Sequence, residues 1–110
     1  MFEKNMSIGF LLDFYGEILN ERKKNILDMY YNEDLSLAEI SDVVGISRQG
    51  VRDAIKKAEN ELLFYEEKLG LAQRFNELRQ SADKISEMSK KATLPEDLKK
   101  EIQHLAAVAQ

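Results

Sequence analysis

Apolar and polar positions along the chain alternate with a helical period from end to end. Ile8, Phe10, Leu11, Leu12, Phe14, Tyr15, Ile18 and Leu19 crowd eight apolar side chains into twelve positions, which predicts a helix over 8–19. Gly9, Asp13, Gly16 and Glu17 form its only polar strip, so it wants cover on more than one side. Two readings are open for it: the central helix of its own core, or part of a homodimer interface. Asn20 can cap a second helix over 21–31 that turns Ile26, Leu27 and Tyr30 inward. Ser36 and Glu39 are spaced as a capping box, so a third helix starts at Leu37 and ends before Gly45, where a missing Cβ permits a left-handed corner. Ser47 caps a fourth helix with Val51, Ala54, Ile55, Ala58 and Leu62 at helical spacing, a pattern that runs on to Tyr65 and Leu69.

Gly70 interrupts the phase, which restarts at Leu71 and continues through Phe75, Leu78, Ala82, Ile85 and Met88. Thr93 and Glu96 are spaced as another capping box, with Pro95 in the first turn and Leu98, Ile102 and Leu105 along the last helix. Nothing reads as a strand, a repeat or a low-complexity run. The expected fold is all-α: a core over 1–69, then a helical extension over 70–110.

The stretch 36–59 has the parts of a helix-turn-helix. Gly45 makes the corner, Ser41 is small enough for close approach, and Ile40, Val44, Ile46, Val51 and Ile55 clamp the two helices. In such a motif the N-terminal end of the second helix enters the major groove. Here that face offers Ser47, Arg48, Gln49 and Arg52, then Lys56 and Lys57 for backbone phosphates. Arg pairs bidentately with guanine and Gln with adenine, and Asp53 could take a cytosine amino group while repelling phosphate.

Charge sharpens this picture. The 110 residues carry 16 Lys and Arg against 20 Asp and Glu, a net charge of −4. Ser47 to Ala58 alone holds Arg48, Arg52, Lys56 and Lys57 against Asp53, a local +3. A general nucleic-acid sponge is basic throughout, so this is at most a locally basic reader. There is no cysteine, hence no disulfide framework or thiolate metal site, which fits a reducing cytosol. No signal peptide or membrane-spanning run is apparent, and the expected location is cytoplasmic. The single histidine, His104, points away from the last apolar stripe and has no ligand partners at metal spacing. Tyr30 and Tyr31 read as packing residues rather than stacking platforms, and the Lys23-Lys24, Lys90-Lys91 and Lys99-Lys100 pairs as solvated faces. No cofactor, metal or enzymatic chemistry is expected.

The stretch "LNERKKNILDMYYNEDLSLAEISDVVGISRQGVRDAIKKAENEL" resembles the fourth region of bacterial sigma factors, which reads the promoter −35 element. "MYYNEDLSLAEISDVVGISRQGVRDAIKKAENELLFYEEKLGL", with the earlier "LLDFYGEIL", is more closely similar to the YlxM family of small bacterial proteins. The resemblance covers about residues 8–80. It implies a sigma-like helical fold and a role beside the signal recognition particle, and it brings no catalytic residues. Two functions stay open: a regulator that binds DNA or the particle RNA as a homodimer, through the first helix, the extension or both, and an adaptor that binds a protein of the targeting pathway.

Overall fold

The computed structural model describes residues 6–110. Among them the chain forms six α-helices and no strand, falling into two units, 1–70 and 71–110. The expected core begins at residue 1, and residues 1–5 lie outside the described residues.

The first unit holds α1 (Met6–Tyr15), a single 3-10 turn (Gly16–Ile18), α2 (Glu21–Tyr31), α3 (Leu37–Val44) and α4 (Arg48–Leu69). The expected first helix therefore ends early. Gly16 is a poor helix former, and beyond the 3-10 turn Leu19 is extended and delivers the chain to the Asn20 cap. Ile8, Leu11, Leu12, Tyr15 and Leu19 are buried while Phe14 and Ile18 are exposed, so cover on one side is enough. Gly16 is not part of a polar strip: it is buried, with room for only a close contact to Leu12. The helix that gathers the others is α4, against which α1, α2 and α3 all pack. Its Val51, Ile55, Ala58 and Leu62 are fully buried at spacings of three and four, a stripe that meets Ile26, Leu27 and Ile40 in the core. Each such aliphatic side chain contributes about 1.5–3 kcal/mol by leaving water.

Two buttresses tie the rim of this core together. The Tyr15 hydroxyl donates to Glu66 Oε1 at 2.6 Å, and Lys23 Nζ donates to Glu61 Oε2 at 2.8 Å. Tyr65 completes the second by donating to Glu61 Oε1 at 2.7 Å.

The second unit is a hairpin of α5 (Leu71–Lys90) and α6 (Glu96–Val108). Gly70, at φ +61°, supplies the left-handed residue that ends α4, as the break in phase predicts. The expected Thr93–Glu96 capping box does not form: Pro95 occupies the cap position and α6 starts at Glu96. The reason lies in the same proline. A Thr93 cap needs Leu94 in the helix, and the ring of a following proline pushes its predecessor out of the helical region. The hairpin's buried positions are the small Ala72, Ala82, Ser86, Ser89 and Ala109, whereas Leu71, Leu78, Ile85, Met88, Leu98 and Leu105 are exposed. The apolar stripe of the extension is thus legible in the sequence but does not close a core within its own hairpin.

Candidate nucleic-acid interface

The site begins with backbone chemistry. Ser36 and Glu39 form the expected box: the Glu39 amide donates to Ser36 Oγ and the Ser36 amide to Glu39 Oε1, both at 3.0 Å. This fixes where α3 starts. Gly45, at φ +75°, turns the chain, and the Ser41 hydroxyl donates to the Ile46 carbonyl across the corner. Ser47 then opens α4 by accepting from the Gly50 amide at 3.0 Å. Gly50 is a requirement that spacing alone did not show. A Cβ there would stand 3.2 Å from Ser47 Oγ and 3.4 Å from Ile46 Cδ1, so the cap sits where a side chain would intrude. Ile40, Val51 and Ile55 are fully buried and Val44 and Ile46 partly, which is the clamp the motif needs.

The six candidate residues all lie on the first three turns of α4 or its cap, but not on one line. At 100° per residue, Gln49, Asp53 and Lys56 stand opposite the buried stripe, Arg48 and Arg52 on one flank, and Lys57 on the other. Ser47, Arg48, Gln49, Lys56 and Lys57 are exposed; Arg52 is half-buried. Ser47 has its oxygen engaged in the cap, which leaves its hydroxyl proton to donate. Gln49 Nε2 donates to Asp53 Oδ1 at 3.0 Å, so the amide that would read an adenine is held by its neighbour one turn on. That bond is exposed and weak to exchange, of order 1 kcal/mol.

Lys57 looks onto a shallow cleft lined also by Asn20, Arg22, Lys23 and Gly50. Sequence reading took Lys23 and Lys24 for solvated charges and passed over Arg22. Lys23 is in fact paired with Glu61 and Lys24 with Glu17. Arg22 could have been found from the Asn20 cap, since a residue in the first turn of α2 lies near the end of the helix that faces α4. On the Arg48 flank, Glu59 is half-buried and its carboxyl is held above the ordinary range by burial, against the opposing pull of the Tyr31 hydroxyl and the Lys56 ammonium. Its Oε1 has no hydrogen-bond partner among the described residues. Tyr30 is buried and stands edge-on to Tyr31 with ring centres 5.2 Å apart, a packing pair. His104 is exposed on α6.

Among the described residues no group of His, Cys, Asp and Glu is arranged to hold a metal ion, and no helix is long and apolar enough to cross a membrane.

Residues 2–104 match the sequence profile of the UPF0122 family, described as "Putative helix-turn-helix protein, YlxM / p13 like". A UPF0122 protein of Caldanaerobacter subterraneus subsp. tengcongensis is 52% identical over 77 residues, 70% of this chain and 66% of that one. One from Thermoanaerobacter sp. strain X514 is 52% identical over 75 residues, 68% of this chain and 64% of its own. These alignments span just under two thirds of the relatives' length. A UPF0122 protein of Clostridium perfringens strain SM101 is 41% identical over 101 residues, 91% of this chain and 90% of its own. With the profile running over nearly every residue and the motif's caps, corner and clamp in place, the chain belongs to the UPF0122 family of YlxM/p13-like helix-turn-helix proteins.

Proposed function

We propose that this protein is a regulatory, non-enzymatic nucleic-acid-binding protein that docks the N-terminal half of α4 into a duplex groove and works in the signal recognition particle pathway of the cytoplasm. The observation that carries the reading is the exposure of Arg48, Gln49, Lys56 and Lys57 together on one capped helix end, in a chain whose charge is otherwise acidic. The pathway comes from the YlxM resemblance alone. In this arrangement Arg48 and Gln49 reach base edges, Lys56 and Lys57 take phosphates, and the Arg22 side of the cleft extends the phosphate track.

The test is a titration of two probes, duplex DNA from the protein's own operon promoter and the particle RNA, at several salt concentrations. The expected result is binding to one of them with a log–log salt slope of about −0.9 for each phosphate neutralised on duplex DNA. Arg48→Ala with Lys56→Ala weakens it at least tenfold and lowers the slope by about 0.9 per side chain. Binding of both probes unchanged by the double substitution, or no binding to either, overturns the reading; the second outcome leaves the helix-turn-helix as a protein-docking adaptor of the targeting machinery.

A further inference from the structure

The α5–α6 hairpin carries an open groove of about 400 Å³ whose walls include Phe75, Leu78, Ile85, Leu105 and Val108. Leu78 is 60% exposed and Val108 64%. The cause is local: the two helices meet through Ala82, Ser86 and Ser89, so they approach closely, and the large apolar side chains are displaced to one side. Two helices alone cannot wrap that side, and units of about 40 residues ordinarily need a disulfide, a metal or a second copy to complete a core. Cysteine is absent, and no metal-holding group occurs among the described residues.

The charges beside the groove indicate which occupant fits. Leu71, Leu78 and Ile85 recur every seven residues along α5, the spacing of a seam between paired helices. Glu77 and Lys84 border that seam on the side away from α6, both exposed and themselves seven residues apart. Halfway between them is Ser81, a small exposed residue on the groove wall. Laid antiparallel across Ser81, a second α5 brings its Lys84 beside Glu77 and its Glu77 beside Lys84, while Leu78 meets the other copy's Ile85. Reciprocal contacts of this kind are what a two-fold interface requires. We infer that this groove is the homodimer interface, closed by an antiparallel second copy of α5 with Glu77–Lys84 pairs on either side of Ser81. This surface lies outside α4, so the inference holds whether or not α4 binds nucleic acid.

The test is sedimentation equilibrium of the full chain without nucleic acid, with helical content checked by circular dichroism. The expected species is a dimer that Leu78→Glu with Ile85→Glu converts to monomer. Glu77→Lys alone, and Lys84→Glu alone, each raise the dimer dissociation constant about tenfold by placing like charges face to face. Combining them restores it to within a factor of about three, because the pair is simply reversed. A monomer at every concentration up to 100-fold above that of ordinary stable dimers, about 100 μM against 1 μM, overturns the inference. So does a dimer indifferent to the groove substitutions, which places the copies on another face. Folded single charge variants that weaken the dimer with no rescue in the combination also overturn it, by breaking the stated pairing.

Discussion

Two glutamates two residues apart on α4 are pushed in opposite directions by what they touch. Glu61 is held below the ordinary carboxylate range by the Lys23 ammonium first and the Tyr65 hydroxyl second. Glu59 is held above it by burial. The signs decide the pH dependence. A depressed acid stabilises the fold above its unfolded value of 4.5, and the contribution fades as pH falls through the folded value. A raised acid costs stability when ionised, and the cost disappears below 4.5. Glu61→Gln is therefore expected to lower the urea midpoint at pH 7 and to matter little near pH 3. Glu59→Gln is expected to leave the midpoint unchanged or raise it at pH 7, the advantage shrinking toward pH 4. Urea unfolding at these pH values checks both, and a Glu59→Gln protein less stable at pH 7 than at pH 4, relative to the parent, contradicts the assignment. Neither shift was visible in the sequence, where Glu59 and Glu61 look like two of many solubilising charges; each depends on a partner more than 25 residues away, Tyr31 or Lys23.

At the scale of elements, two stretches with the same spelling behave differently. Ser36-x-x-Glu39 makes both bonds of a capping box, and Thr93-x-x-Glu96 makes neither. Ser36→Ala is expected to cost about 1 kcal/mol, read from chemical denaturation, whereas Thr93→Ala leaves the midpoint within error. The helix-turn-helix was legible because its signals are local: Ser36 with Glu39, Gly45, Ser47, and a clamp spaced at three and four. The start of α6 was misread because a rule of similar strength, the restriction before Pro95, outweighed the box. Early termination of α1 was missed since its apolar run continues through Ile18 and Leu19 without regard to where the backbone changes pitch. The candidate interface was legible as a set of residues on one helix. Its division into three faces, and the hold of Asp53 on Gln49, needed coordinates.

For the whole molecule, burial separates the two units. The first owns every fully buried large aliphatic side chain among the described residues, and the second keeps its large ones at the surface. Truncating Ile55, which is fully buried, to Ala is expected to cost about 2–5 kcal/mol. The same truncation of Leu98, 46% exposed, is expected to cost less than about 1 kcal/mol. Thermal unfolding of the two variants side by side measures the contrast, and equal losses would show that α6 is covered more deeply than described. Patterning revealed which positions are apolar in both units, but it does not distinguish a stripe that meets its own core from one left open, because that depends on whether small residues such as Ala82 and Ser86 take the inner position.

The carboxylate of Asp53 stands among cations on the very face proposed to meet a polyanion. It imposes an electrostatic toll on every phosphate that passes, matched or not. Only a target that detaches Gln49 and offers both partners something in return recovers that toll. A reader arranged in this way gives up tenacity for discrimination: it lets go of most sequences quickly and lingers where the fit is right.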